Sequence, residues 1–359
     1  MTTTRRSLLS AAAAAAVVAL SATGCNAADE AAPPAMSASA AAEPGSTAEP
    51  DASAETGSAA AQEGAAAPAV GQELYAAPES PVLSWVEENA SDERAETIRA
   101  EIGQQPMAQW FGSWSGPITE ATEELTSAAQ EEGALPIMVA YNISGRDACG
   151  GHSGGGAGSP EAYEAWIRDY ARGIGDSPAL VILEPDALGD YECMTDAQIE
   201  EREGMLRTAI AQFAEEAPNA WVYLDAGNSA WVEAETMAER LEAAGLEDAH
   251  GFSLNVSNYL STESNVAYAE AVNEQLSAEA GFTAPFVIDT SRNGKGEEGV
   301  DWCNPAGQQL GETSRWGEDA ELLLWIKTPG ESDGDCGVGE GSEAGEFLPE
   351  VAMGLISGE

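Results

Sequence analysis

Val181-Ile182-Leu183-Glu184-Pro185-Asp186 sets an apolar run of strand length directly against two carboxylates. The arrangement recurs along the chain. Apolar runs at 136–141, 179–183, 221–224, 251–254, 285–288 and 322–326 each end in a polar cluster. The clusters are Tyr141 to Asp147, Glu184-Pro185-Asp186, Asp225-Ala226-Gly227, Asn255 to Asn258, Asp289 to Arg292, and Lys327 to Asp333. The runs are near-continuous and rich in Val, Ile and Leu, as expected of parallel strands covered on both faces. Amphipathic segments separate them at 160–175, 195–217, 231–244 and 264–280, two with helix-start signals at Ser159-Pro160 and Thr195-Asp196. Alternating strand and helix predicts an α/β fold with a parallel sheet. If that sheet closes into a β/α barrel, the loops after the strands build the active site, and carboxylates recurring there read as catalytic groups.

Outward from this core the chain changes character. Residues 1–25 carry Thr4-Arg5-Arg6-Ser7-Leu8-Leu9, an Ala/Val/Leu stretch and Ser21-Ala22-Thr23-Gly24-Cys25, the layout of an export signal. The paired arginines suggest the twin-arginine route. Cys25 after small residues resembles the lipidated cysteine of a bacterial lipoprotein, with plain secretory cleavage as the alternative. The apolar segment is shorter than the ~20 residues a membrane-spanning helix needs. Residues 26–72 are an Ala/Glu/Pro/Ser tether predicted to be disordered, since a segment so poor in apolar surface cannot offset the entropy of ordering. As a flexible coil it would reach ~40 Å. Residues 73–359 form a single catalytic domain, whose periodic pattern begins near Pro78.

The chain holds 62 acidic against 14 basic side chains, a net charge of −48, and only Lys295 and Lys327 are lysines. A nucleic-acid partner is excluded, because phosphate binding needs a basic footprint. Most carboxylates, among them Glu123, Glu124, Glu131, Glu132, Glu200, Glu201 and Glu203, are assigned to solvated helix faces. Setting Cys25 aside leaves Cys149, Cys193, Cys303 and Cys336, an even set suited to two disulfides in an oxidising compartment, with three possible connectivities. His152 and His250 are too few and too far apart for a metal site, and neither a metal nor another cofactor is expected. The Gly-rich run 150–158 lacks the Lys and Ser/Thr of a phosphate-binding loop.

Asp186 follows its strand without an intervening loop and should sit at the barrel mouth above an apolar core. Burial raises a carboxyl pKa and a neighbouring carboxylate raises it further, which suits a general acid. Asp147, after the preceding strand, is the candidate neighbour. Either residue alone is more commonly a cap or loop residue.

Taken together, the motifs resemble glycoside hydrolase family 6, the inverting cellulases, over essentially all of residues 80–359. The resemblance rests on Val181 to Asp186, Leu224-Asp225-Ala226-Gly227-Asn228-Ser229-Ala230-Trp231, Asn255-Val256-Ser257-Asn258-Tyr259, Val287 to Gly294, Asp301-Trp302-Cys303-Asn304-Pro305 and Trp325 to Gly334. It implies a distorted parallel β/α barrel, a TIM-barrel variant of about seven strands. It further implies Asp186 as proton donor, Asp147 as the carboxylate that holds its pKa up, and Tyr141 against the distorted sugar ring. Asp333 matches the proposed base, acting through a water chain, and Ser153 a serine that holds the attacking water. Asp225 matches a further site carboxylate, read as structural or charge-tuning. Lys327, Glu331 and Asn258 match substrate-binding positions, and Trp110, Trp231 and Trp302 match aromatic platforms. Core packing is the reading for Trp166, Trp221 and Trp325. The resemblance pairs Cys149 with Cys193 and Cys303 with Cys336, although Ala148 and Asp335 each insert a residue relative to the usual pattern, and Asn228 stands where many relatives have His.

The expected substrate is therefore a β-1,4-glucan or cello-oligosaccharide, and the expected enzyme an exported monomer that touches a membrane only through lipidated Cys25. The segments 302–327 and 331–359 are too short for the long roofing loops of processive relatives, which favours an open cleft and internal cleavage. A cellobiose-releasing exo-enzyme and a lipid-anchored glycan-binding protein without turnover are the alternatives. The acidic surface makes a separate prediction, because the Debye length falls from ~30 Å at 0.01 M salt to ~3 Å at 1 M. The thermal midpoint of residues 72–359 should rise from low salt to molar sodium chloride; a flat or falling midpoint would count against salt adaptation.

Overall fold

The computed structural model describes residues 66–151, 154–296 and 301–359. The export signal with Cys25, the tether up to residue 65, and Ser153 lie outside the described residues.

Eight strands form one sheet: β1 (Gln109–Phe111), β2 (Ile137–Ala140), β3 (Ala179–Leu183), β4 (Ala220–Asp225), β5 (Gly251–Leu254), β6 (Phe286–Asp289), β7 (Arg315–Trp316) and β8 (Leu322–Leu324). Their order is β1-β2-β3-β4-β5-β6-β8-β7, parallel throughout except for the two-residue β7 against β8. The parallel strands thus number seven. Among the described residues no ladder joins β1 to β8. The seam is crossed by the Ala108 N–H donating to the Trp325 carbonyl at 2.9 Å and the Trp110 indole N–H donating to the Ile326 carbonyl at 2.7 Å. This open seam is the distortion of the barrel.

The pleat sorts the side chains into two cores. Val139, Leu180, Ile182, Tyr223, Val287 and Leu324 pack with one another in one cluster. Met138, Val181, Leu183, Val222 and Ile288, in the opposite phase, pack with Tyr163, Ile167, Leu206 and Val272 of the surrounding helices. One pleat step beyond Ile182, Tyr223 and Val287, in the same phase, stand Glu184, Asp225 and Asp289. The apolar interior therefore ends in a layer of carboxylates.

Helices Pro160–Ile174 and Asp196–Glu216 begin where their caps predict: Ser159 Oγ accepts the Ala162 N–H at 3.2 Å, and Thr195 forms a reciprocal capping box with Gln198. Elsewhere the boundaries move for local reasons. The helix expected over 231–244 starts only at Ala234, leaving Trp231 in a turn closed onto the Asn228 carbonyl. The helix expected from Ser264 starts at Thr262, because Ser261 caps it with its hydroxyl on the Ser264 N–H at 3.0 Å. Strand β8 stops at Leu324 rather than residue 326, because the Ile326 and Lys327 N–H groups donate to Asp289 instead of a strand partner. Among the described residues no helix is long and apolar enough to cross a membrane.

Ile182 is fully buried in the inner cluster. Ile182→Ala should lower the unfolding free energy by about 2–5 kcal/mol through lost burial and a residual cavity. Equilibrium urea unfolding measures this, and a loss below about 1 kcal/mol would mean the inner core collapses freely around the gap.

Candidate active site

At the C-terminal ends of the strands lies a cleft of about 1430 Å³, larger than the ~300–1,000 Å³ of a small-molecule pocket. Asp147, Asp186 and Asp333 all line it, as do Tyr141 and Lys327. The loops carrying them follow β2, β3 and β8, so residues far apart in sequence meet at one mouth.

The backbone there is unusual. Asp147 (φ 51°), Glu184 (52°), Asp186 (68°), Asn255 (65°) and Ser257 (59°) all occupy the left-handed region. Each costs of order 1–3 kcal/mol unless its surroundings fix it. The carboxylate layer supplies that fixing around Glu184, Asp186 and Ser257, while Asp147 takes the Gly151 N–H on its own side chain. Glu184 accepts the Asn142 N–H on both oxygens, at 3.1 and 2.9 Å, and the Ile143 N–H at 2.9 Å, tying the loop after β2 to the end of β3. Asp225 accepts the Asp186 N–H at 3.0 Å, the Gly227 N–H at 3.1 Å and the Ser253 hydroxyl at 3.1 Å. Asp289 accepts the N–H groups of Ser257, Ser291, Ile326 and Lys327. Asn255 adds donation from its amide to the Asp289 and Leu260 carbonyls.

This arrangement assigns Asp225 a different place from the other acids. It is buried, does not line the cleft, and spends both oxygens on neighbours. Through the Asp186 N–H it fixes the backbone of that residue. Burial raises the pKa of both; Asp186 is raised further by the charges of Asp225, Asp147, Asp190 and Asp333. The three hydrogen bonds to Asp225 favour its ionised form, which leaves Asp186 as the member that holds the proton.

Asp333 has the opposite environment. Burial alone would raise its pKa, but Arg292, then Lys327, hold it below the usual carboxylate range. The fully buried Arg292 donates to both Asp333 oxygens at 3.0 and 2.9 Å and also to the Ser257 carbonyl. Its guanidinium lies 4.3 Å above the Tyr259 ring. The Asn304 N–H donates to Asp333 at 3.1 Å, while the Asp333 N–H donates back to Asn304 Oδ1 at 2.9 Å. Lys327 Nζ lies 3.8 Å from Asp333 and 3.9 Å from Glu331 and donates to the Ser332 carbonyl. Burial raises the Glu331 pKa.

The remaining expected residues also gather here: Trp110, Trp231, Trp302, Asn258 and Glu331 line the cleft. Trp231 and Trp302 are 39% and 42% exposed, whereas Trp325 is fully packed. Trp231 is seated on Gly189, where an added Cβ would stand 2.4 Å from the indole. Cys149 is bonded to Cys193 and Cys303 to Cys336. The first links the Asp147 and Asp186 loops, reinforced by Asp190, which accepts the Cys149 N–H at 3.1 Å. Arg202 is buried and donates to the carbonyls of Gly145, Ala187 and Asp190, stitching the same two loops from beneath. Neither Arg202 nor Arg292 stood out in the sequence as a site residue. An arginine amid so many surface acids gives no signal, although Arg292 does sit inside a strand-end cluster. Among the described residues no group of His, Cys, Asp or Glu is arranged to hold a metal ion.

The profile of the family described as Glycosyl hydrolases family 6 matches residues 69–358. Endoglucanase 1 of Streptomyces halstedii is 59% identical over 285 residues, covering 79% of this chain and 88% of that protein. A probable exoglucanase of Podospora anserina is 30% identical, over 64% of this chain and 62% of its own length. Among solved structures, the endoglucanase Cel6 of Mycobacterium tuberculosis, in complex with a methyl-cellobiosyl-4-deoxy-4-thio-β-D-cellobioside, superposes with a TM-score of 0.73. It is 36% identical and is matched over 80% of this chain and 97% of that one.

The burial of Glu184 sets a pH dependence of stability. Desolvation pushes its pKa up to about 7 from an ordinary 4.5, against the hydrogen bonds from Asn142 and Ile143. Between those values the folded state keeps a proton that the unfolded chain has released. The associated stability is full below 4.5 and lost as pH rises through 7. Unfolding free energy should fall over this window more steeply in the wild type than in Glu184→Gln, whose amide does not titrate. Parallel slopes in urea titrations would remove this account of Glu184.

Proposed function

The chain belongs to glycosyl hydrolase family 6, and on that premise we propose that it cleaves internal β-1,4-glucosidic bonds of cellulose or a related β-glucan with inversion of configuration. The observation that carries this reading is the opposed surroundings of two acids on one cleft: Asp186 is buried among carboxylates, which favours its protonated form, and Asp333 is ion-paired with Arg292, which favours its anion. Separated pKa values of this kind supply one acid and one base at the same pH. Asp186 protonates the glycosidic oxygen while a water, polarised towards Asp333 and held by Ser153, attacks the opposite face of the anomeric carbon. Asp333 is ion-paired to Arg292, so it is weakly basic on its own, which fits a role relayed through water.

Asp147 keeps the proton on Asp186 through its negative charge. Tyr141 bears on the distorted ring, its own ring fixed edge-on by Trp110 at 5.2 Å and covered by the Arg146 guanidinium at 4.1 Å. Trp110, Trp231 and Trp302 stack the glucosyl faces, and Asn258, Lys327 and Glu331 bond the hydroxyls. Endo cleavage is supported by the 59% identity to an endoglucanase and by the short internal segment 302–327. The likeness to an exoglucanase keeps cellobiose release as a second reading. Viscosity loss against reducing-sugar release on carboxymethylcellulose separates the two. A glycan-binding protein without turnover has no use for a polarised acid and base pair.

Export of a monomer, with residues 26–72 tethering domain 73–359 to a lipid surface through Cys25, completes the proposal. The signal-like sequence supports it, and the two disulfides suit an oxidising compartment.

Asp186→Asn should lose about 10²–10⁴-fold in kcat on cello-oligosaccharides while retaining binding, since only proton donation is removed. Near-normal turnover would take the acid role from Asp186. The alkaline limb of the pH profile reports loss of the proton on that acid. Asp147→Asn removes a charge that raises the acid's pKa, so the limb should move to lower pH; an unmoved limb would deny the coupling. Proton NMR of the first-formed product should show the α-anomer from a β-linked substrate, and β-anomer first would exclude inversion.

A further inference from the structure

Three tryptophans are exposed among the described residues, Trp114 at 57%, Trp231 at 39% and Trp302 at 42%, and all three line the catalytic cleft. Trp231 and Trp302 already have places as sugar platforms. Trp114 has none, yet its setting matches that of Trp231 closely. Each indole lies against a glycine whose hypothetical Cβ would stand 2.4 Å from the ring: Gly189 beneath Trp231, Gly112 beneath Trp114. The Trp114 seat is closed by a tight turn, in which the Ser115 N–H donates to the Gly112 carbonyl at 3.1 Å and the Gly112 N–H donates to the Ser115 hydroxyl at 3.1 Å. The Arg146 guanidinium carbon also lies over the ring, 5.6 Å from its centroid. The same guanidinium covers the Tyr141 ring at 4.1 Å, so Trp114 stands beside the aromatic wall of the cleavage position. Topology gives the same answer. The loops of Asp147 and Asp186 follow β2 and β3, and the loops of Trp114 and Trp231 follow their outer neighbours β1 and β4.

We propose that Trp114 is an additional glucosyl platform, extending the cleft beyond the position of Trp110 on the flank opposite Trp231. The inference rests on the β-glucan reading above. An isolated exposed indole is unremarkable on a protein surface. This one is held still: glycine removes the side chain that would displace the ring, the turn fixes its backbone, and the arginine packs against it. A pre-positioned flat apolar surface in a carbohydrate cleft loses little entropy when a glucosyl face settles on it. The ligand is a unit of a longer β-glucan chain, so the contribution should appear only once the oligosaccharide is long enough to reach Trp114.

The test compares kcat/KM on cellohexaose and cellotetraose for the full chain and its Trp114→Ala, Trp114→Tyr and Gly112→Ala variants. Trp114→Ala should reduce the hexaose-to-tetraose ratio by about tenfold, the equivalent of one good aromatic stack. Trp114→Tyr should restore most of it. Gly112→Ala, which keeps the indole but dislodges it, should share the defect. Equal losses on both oligosaccharides would overturn the platform. So would an unchanged ratio with weaker adsorption to insoluble cellulose, which would make Trp114 a solid-surface contact. A wild-type enzyme that cleaves neither oligosaccharide overturns the β-glucan reading and the platform with it.

Discussion

A backbone N–H turned into a barrel mouth must find an acceptor or cost about as much as a lost hydrogen bond, and this chain supplies acceptors at Glu184, Asp225 and Asp289. Each stands at the end of a strand, one pleat step above an inward apolar side chain. Each takes N–H groups from loops on neighbouring strands. Left-handed backbone at Glu184, Asp186 and Ser257 persists because these bonds over-determine it. These three carboxylates are therefore the rivets of the mouth. The acids that face the cleft, Asp186 and Asp333, lie one step further out, and the rivets fix the backbone that carries them.

Burying carboxylates together makes their charges interact strongly, and the surroundings decide which of them keeps a proton. Asp225 is surrounded by donors and Asp186 by carboxylates, so the proton belongs to Asp186. Asp333 is embraced by Arg292 and approached by Lys327, so it stays ionised despite its burial. Removing one partner of a buried ion pair is costly, typically 3–5 kcal/mol, so Arg292 is as much a structural requirement as an electrostatic one. The disulfides Cys149–Cys193 and Cys303–Cys336 close the same two edges covalently. The Asp186 side and the Asp333 side are thus each held by one covalent link, one buried arginine and a set of backbone bonds.

How much of this the sequence disclosed depended on length and pattern. Strands β2 and β3 announce themselves as continuous apolar runs, and the Ser159 and Thr195 caps fix two helix starts. Strand β1 is three residues containing Gln109, and β7 is two residues, too short for periodicity to register. Helix Ile118–Glu132 carries Glu120, Glu123, Glu124, Glu131 and Glu132, so its acids suggested a solvated face without revealing its bounds. At the site, Asp186 and Asp147 were legible because strand ends are where barrels place chemistry. The different reading of Asp186 and Asp225 came only from the family resemblance, because its physical basis is which carboxylate the neighbouring N–H groups reach. The setting of Trp114 was not legible, since its meaning lies in Gly112 and Arg146 around it rather than in any motif.

The central claim is that the cleft holds one acid protonated and one ionised at the same pH. Carboxyl-carbon NMR of 13C-labelled aspartate measures it directly, with Asp186 and Asp333 assigned by the resonances missing from Asp186→Asn and Asp333→Asn. The account predicts that the Asp186 signal titrates well above the usual carboxylate range and the Asp333 signal below it. Two ordinary midpoints, or the reverse order, would contradict it.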